Sequence, residues 1–594
     1  MKEFFTYIQR TQKHIIAEFG DALTFCRELL TEDGPDFLPD DIANLLSDAE
    51  ADERDYAIAS AYSLLIGETR RRELSAYFTP PVLSRAVLNA SAPVLERCDA
   101  PAVLDPACGG GSFLTPVARH LIAKDVARGS THDAACKKAL NCVGGIEIDS
   151  GLASLSQTLL RYMLARENNY RAKGELGVVR RADALRHNPG KKFDLIVGNP
   201  PFGKIGSERA ATLLKQGEPG NMGGHTNLYA LFLMRSLGWL KPGGGLVFVL
   251  PTSFVAGPYF ASLRQQVLKK AKVVRIDLHE QRENLFLGAV QDICLLSLHR
   301  HSTDEASNNA DEQEYELGVI DAKGARRSTG AALAKSDGEP WMLPVAHEVK
   351  VFAVPAGKSG EAHATFSLSD YGYRVRVGKV VPTRERKRLH AFRQRGDLPL
   401  LWASTIRPDG SFDFTASDRI GNARWYCPPD SNAKQYNITQ PAVVLQRTSN
   451  RDQARRLNAS SIPAKFRTAH KKGFVAENHV IVIEALKAKP LVSPKKVAMM
   501  LNAAVVNERF SAVCGSFSVS AKLLQRMALP DPASVSKLRK PEIEHGLRKL
   551  FAGIKELLVS DAAGNTQNTI DKPGNLPRGT AIDKNASLER RAVT

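Results

Sequence analysis

Between residues 73 and 300, six short runs rich in Val, Ile and Leu alternate with longer amphipathic stretches. The runs are AVLDPA, CVGGIEI, FDLIVGN, GLVFVL, VVRIDL and DICLLSL, and the intervening stretches include SFLTPVARHLIAKDVA and TNLYALFLMRSLGWL. Runs that are apolar throughout suit strands buried on both faces, and strand–helix alternation argues for a largely parallel sheet covered by helices. The pattern predicts an α/β, Rossmann-like domain over residues 73–300.

The chain is 594 residues long, too long for one ordinary core. Residues 1–72 carry helical spacing and few glycines and read as an N-terminal helical segment. Residues 301–345 open on HSTDEASNNADEQEYE and read as an acidic linker or surface excursion. Shorter strand-like runs and many turns over 346–535 predict a second domain of mixed α+β character. Residues 536–594 read as one helix followed by a disordered polar tail. The eight cysteines show no zinc-ligand spacing, so no metal is expected, and reduced thiols fit a cytoplasmic protein. MKEFFTYIQR lacks a basic stretch followed by an apolar core, and no apolar run is long enough to span a bilayer, so neither a signal peptide nor a membrane partner is expected.

The formal net charge is +18, which favours a polyanionic partner, nucleic acid first. Residues 371–480 hold 21 Lys and Arg against 8 Asp and Glu, so most of the surplus sits in about a fifth of the chain. A generally basic surface without a partner is the bland alternative, and it rarely concentrates charge in this way.

Two segments carry candidate chemistry. AVLDPACGGGSF runs from a strand into a glycine turn and then a helix, where Gly109, Gly110 and Gly111 let a ligand approach the backbone. Asp105 precedes the turn, Glu147 closes the next strand in GGIEID, and Asp183 follows a third strand-like stretch in RADAL. Any one of these acids could be a helix cap; three at strand exits suggest a nucleoside site, with Glu147 accepting ribose hydroxyls and Asp183 an adenine amine. In FDLIVGNPPFG, Pro200 and Pro201 fix the backbone and remove two amide donors. The Asn199 side-chain oxygen and the Pro200 carbonyl can then face one donor group, with Phe202 offering a flat apolar face. A rigid turn capped by a core phenylalanine is the alternative.

Taken in order, Tyr77-Phe78-Thr79-Pro80-Pro81, DPACGGGSF, GIEID, RADAL and NPPF resemble the gamma-class N6-adenine DNA methyltransferases of Type II restriction–modification systems, the Eco57I-like N-6 DNA methylases. The resemblance covers roughly residues 70–300. It implies a class I S-adenosylmethionine-dependent methyltransferase fold with a C-terminal target-recognition domain. By resemblance, Thr79, Asp105, Ala107, Gly109, Glu147, Ile148, Asp183 and Pro201 line the S-adenosylmethionine pocket, and Asn199, Pro200, Pro201 and Phe202 form the catalytic motif that holds the target base. Leu298 and His299 stand where related enzymes often place a second aromatic against that base, so either stacking is one-sided or another residue fills the slot. QRTSNRDQARRL and VAENHVIV look similar to target-recognition regions, making Arg447, Arg451, Arg455, Arg456, Asn478 and His479 candidate DNA contacts. The implied partners are double-stranded DNA and a separate cognate endonuclease, with the enzyme a monomer or weak dimer. Methyltransferases acting on RNA, protein glutamine or cytosine N4 share the motif class and stay open, as does a DNA-binding module with an inactive catalytic fold.

Overall fold

The computed structural model describes residues 1–31, 35–74, 77–203, 205, 227–257, 260–280, 285–287, 292–302, 312–335, 338, 340–344, 366–429, 436–448, 455–514 and 518–552. Arg451 and the expected tail beyond residue 552 lie outside them.

Five helices open the chain: α1 (Lys2–Phe19), α2 (Ala22–Glu28), α3 (Asp40–Ser47), α4 (Ala51–Leu65) and α5 (Glu68–Leu74). Gly20, with φ at 79°, ends α1, and the Asp21 carboxylate then caps α2 by accepting from Leu23 and Thr24 at 2.8 and 2.9 Å. Phe4, Ile8, Phe25 and Ile58 from these helices share one buried cluster with Phe78 and with Leu155 and Leu159 of α9 (Ser150–Asn168). The helical segment is therefore packed onto the next domain.

That domain is built on α6 (Pro81–Arg97), α7 (Leu114–Ala127), α8 (His132–Cys142), α9 and a nine-stranded sheet. The strands are β1 (Val103–Asp105), β2 (Val143–Glu147), β3 (Val179–Arg181), β4 (Phe193–Gly198), β5 (Leu240–Pro251), β6 (Ala271–His279), β7 (Ile293–Arg300), β8 (Glu312–Ile320) and β9 (Arg326–Lys335). Their order is β3-β2-β1-β4-β5-β7-β6-β8-β9. The β1–β2, β2–β3, β1–β4 and β4–β5 pairs are parallel, whereas β7 runs antiparallel to β5 and β6. Each of the six apolar runs contains one strand, and the amphipathic stretches supply α7 and α10 (Leu228–Trp239). The chain order reverses between β1 and β4, the place where open α/β sheets form a ligand crevice.

The expected linker over 301–345 is corrected by the hairpin β8–β9, which extends the sheet through parallel pairing of β8 with β6. Tyr315, Leu317 and Ile320 turn inward while Glu314 and Glu316 face solvent, so the acidic residues mark one side of a strand. Asp277 of β6 is buried and bridges to Arg326 of β9 at 2.8 Å. Gly318 on the intervening β8 leaves room for this pair, since a Cβ there would lie 2.3 Å from the Asp277 carboxylate.

Residues 340–344 then join the sheet domain to the C-terminal part. Trp341 is fully buried against Phe254 and Tyr315, with ring centroids 5.6 and 6.5 Å away, and the Leu343 amide donates to the Ala512 carbonyl at 2.7 Å. One apolar cluster runs from Leu104 of β1 through Trp341 to Phe551.

The C-terminal part contains two small sheets. The first is antiparallel, in the order β10 (Tyr373–Val377), β17 (Val480–Ala485), β14 (Ala442–Gln446), β15 (Ala459–Ser461). The second has the order β11 (Leu389–His390), β13 (Trp425–Tyr426), β12 (Leu398–Leu401), β16 (Val475–Ala476). Helices α11 (Pro494–Asn502) and α12 (Ala504–Ser511) cover the first sheet, giving the mixed α+β layout. No helix among the described residues is long and apolar enough to cross a membrane.

Candidate active site

The carboxyl ends of β1, β2 and β4 meet around a cavity of about 290 Å³. Thr79, Asp105, Ala107, Gly109, Glu147, Ile148, Asp183, Asn199 and Pro201 all line it. Asp105 and Asn199, 94 positions apart in the sequence, thus share one cleft because β1 and β4 are neighbours in the sheet.

The glycine turn is shaped by what presses on it. Gly109 and Gly111 hold φ at 51° and 85°, a region that disfavours other residues. A Cβ on Gly110 would stand 2.7 Å from the Phe78 ring and 2.9 Å from Ala59 of α4. The helical segment therefore fixes the position of the loop from behind.

Asp105 is fully buried. Its Oδ1 accepts the Ala107 amide at 3.0 Å, while Oδ2 is buried with no hydrogen-bond partner among the described residues. Burial pushes its carboxyl up to about 8, the Ala107 amide opposes that rise, and the nearby Glu147 charge adds to it. Glu147 accepts the Gly109 amide on Oε2 and the Asp149 amide on Oε1, both at 2.9 Å. Burial raises its carboxyl too, against those amides. Each Glu147 oxygen keeps a second lone pair for a ligand hydroxyl. Beside it, Ile148 is 53% exposed and leaves an apolar surface in the cleft. Asp183 accepts the Leu185 amide at 3.0 Å and holds the turn after β3.

After β4, the Asn199 Nδ2 donates to Thr79 Oγ1 at 3.1 Å. This fixes the carboxamide and leaves Oδ1 buried without a partner. Sequence reasoning gave Thr79 only a cofactor contact and missed this bond; two polar residues 120 positions apart carry no local signal of it. Pro200 is buried, and the Leu228 amide at the head of α10 donates to the Gly203 carbonyl at 2.9 Å, tying down the end of the motif. Phe202 is half-buried and meets Tyr229 edge-on at 6.3 Å, and Tyr229 in turn lies 5.7 Å from Phe260.

The expectation for Leu298 and His299 is corrected. Because β7 is antiparallel to β5, they pair with Leu246 and Gly245, near the start of the core of β5. The motif follows Gly198, which pairs with Phe248 farther along that strand. Leu298 and His299 therefore lie toward the opposite edge of the sheet, and Leu298 is buried there.

In the C-terminal part, Arg447, Asn478 and His479 come together. The Arg447 amide donates to the His479 carbonyl at 2.8 Å and its guanidinium to the Asn478 carbonyl at 3.0 Å. Buried Glu477 accepts from the His479 backbone amide at 2.8 Å and lies 2.9 Å from its Nδ1, while the His479 ring stays exposed. Arg455 donates to the carbonyls of Pro408 and Asn502, so it braces the fold. Arg456 is half-buried beside it.

These features fit S-adenosylmethionine: a cationic, nucleoside-bearing molecule would meet a buried unpaired carboxylate oxygen, a second carboxylate with spare lone pairs and an apolar shelf. Residues 143–286 match the Eco57I restriction-modification methylase family model. The chain is 23% identical to the Type II methyltransferase M.BsuBI of Bacillus subtilis over 519 residues, 83% of this chain and 95% of that protein. It is 25% identical to M.PstI of Providencia stuartii, over 58% of this chain and 66% of that one. Among solved structures, the Type IIL restriction-modification enzyme MmeI in complex with DNA shares the fold at a TM-score of 0.52 and 14% identity, across 87% of this chain and 79% of that chain. Sheet order, cleft and family likeness agree: the chain is similar to the Eco57I-like Type II methyltransferases of restriction–modification systems, and S-adenosylmethionine is its cofactor.

Proposed function

We propose that the chain methylates the N6 amine of an adenine extruded from duplex DNA at a specific site, as the modification partner of a separate endonuclease, and works in the cytoplasm. Asn199 carries this reading. Its amide nitrogen is occupied by Thr79, so its buried Oδ1 is an acceptor facing a cleft with nothing to accept. An exocyclic amine has two hydrogens, one for Oδ1 and one for the Pro200 carbonyl. The consecutive prolines remove the backbone donors that would compete.

An adenine amine is a weak nucleophile because its lone pair is delocalised into the ring. Accepting both hydrogens draws the nitrogen toward a tetrahedral shape and localises that lone pair. When bound, the cofactor supplies a methyl group already activated on a sulfonium. Asp105, Glu147, Ile148 and Asp183 would hold it, and the protein's contribution is positioning and electrostatic stabilisation. Extruding a nucleotide costs a few kcal/mol, part of which stacking on Phe202 offsets. The surplus of basic residues over 371–480, with Arg447, Asn478 and His479 gathered there, suits a duplex held by phosphate and base-edge contacts.

Asn199→Ala removes one of the two acceptors, and its turnover is expected to fall about a hundred- to a thousandfold, the scale of losing a transition-state hydrogen bond. Cofactor affinity, read by calorimetry, should change less than about threefold. Labelled-methyl transfer to duplex DNA, RNA and protein, followed by nucleoside analysis, separates N6-methyladenine from N4-methylcytosine and from the other acceptors. Methyl appearing only in RNA or protein rejects the proposal.

A further inference from the structure

Phe392 is 86% exposed, more than any other large apolar side chain among the described residues. It sits on the loop between β11 and β12 together with exposed Arg393 and Arg395, and the exposed Arg384, Arg386, Lys387 and Arg388 lie just before β11 in the sequence. Hydration of a phenyl ring is costly, and although single exposed apolar side chains are common, this one is set among cations on a loop held at both ends.

The loop is held on both sides of that ring. On the N-terminal side, Leu389 and His390 pair with Tyr426 and Trp425 of β13. On the other, the buried Asp397 carboxylate lies 2.8 Å from His390 Nδ1 and accepts the Gln394 amide, also at 2.8 Å. Gly396, with φ at 95°, closes the turn, and the Arg393 guanidinium lies 5.2 Å from the centroid of the Trp425 ring. Phe392 alone projects from a fastened, strongly basic frame.

Resting on the reading that the partner is duplex DNA, we propose that this loop is a DNA wedge: its two arginines and the four cations before β11 hold phosphates while the Phe392 ring enters the base stack and opens a step. Charge complementarity selects the occupant, because six cations and one acid, Glu385, lie within residues 384–395. Apolar side chains inserted between base steps unstack them and kink the duplex. A step opened in this way lowers the work of extruding a neighbouring nucleotide.

The test uses the full-length protein with S-adenosylmethionine and nicked circular plasmid DNA, so no recognition sequence need be known. The nick is sealed with protein bound, and the linking number is read from the topoisomers at matched occupancy. Wild type is expected to leave the plasmid underwound. Phe392→Ala should lose most of that shift and about tenfold or more in kcat/KM for methyl transfer to the plasmid, whereas Phe392→Trp restores both. Arg395→Ala should weaken binding and its salt dependence while keeping the shift per bound molecule. A Phe392→Ala protein that underwinds the plasmid as wild type does overturns the wedge. So does one whose Trp counterpart fails to recover. The topological readout needs binding and no methyl transfer; a wild type that shifts linking number in a Phe392-dependent way yet methylates no DNA supports the wedge and rejects the catalytic reading.

Discussion

Asp105, which the proposed function assigns to the cofactor, works against the fold that carries it. The unfolded chain gives up this proton near the ordinary carboxylate value, about 4, whereas burial lets the folded protein keep it until about 8. Between those limits the folded state binds the extra proton, so this residue's contribution to stability falls as pH rises and is fully lost above the upper limit. Asp105→Asn should therefore raise the melting temperature relative to wild type at about pH 8, with a smaller difference at about pH 4. Thermal melts at both values check this. The same substitution should abolish cofactor binding. In wild type, affinity for the cationic cofactor should weaken as pH drops below about 8, up to about tenfold per unit, because the proton must leave first. A pH-independent affinity would show that Asp105 does not bind as a carboxylate. At this scale the sequence was informative where function is carried by short contiguous motifs. NPPF and GGIEID named residues that share one cleft. It was silent where the partner is remote, as in the Thr79–Asn199 bond.

Among elements, the hairpin β8–β9 is the instructive case. The Asp, Glu and Asn content of HSTDEASNNADEQEYE reads as solvent-loving linker, and it hides the alternation of Tyr315 and Leu317 with Glu314 and Glu316. Docking depends on the Arg326–Asp277 pair reaching across Gly318. Gly318→Ala puts a methyl group into that path and should strand a buried carboxylate. A loss of about 2–3 kcal/mol is expected from denaturant unfolding, the scale of breaking a buried pair that keeps a second, weaker partner in Arg275 at 3.6 Å. An unchanged midpoint would mean that the hairpin is held by its apolar face alone. The six runs of the sheet were legible for the opposite reason: they are mostly buried on both faces, so little polar surface obscured them. The order β7 before β6 was not legible, because nothing local in DICLLSLHR says that it inserts beside β5. That inversion moved Leu298 and His299 away from the site.

At the scale of the whole molecule, the sequence suggested separable domains and the structure joins them. Trp341 stands at the junction, fully buried, with its amide donating to Val255 at 2.8 Å. Because one apolar cluster continues from the sheet to Phe551, calorimetry should find a single transition for the two parts. Trp341→Ala should cost about 3–5 kcal/mol and split that transition in two. Two transitions already present in wild type would contradict the joint core. The sequence reading sets a boundary at 345/346 but gives no sign that the junction is buried, because PWMLP is too short to declare a partner.

This shared interior limits how such an enzyme can change what it reads. A specificity module hung on a linker can be exchanged like a cartridge, but here a transplanted C-terminal half would bring the wrong shapes to the seam around Trp341 and Leu343. New sequence preferences should be reached by altering outward-facing side chains one at a time, with grafted chimaeras failing at assembly before they ever meet a target.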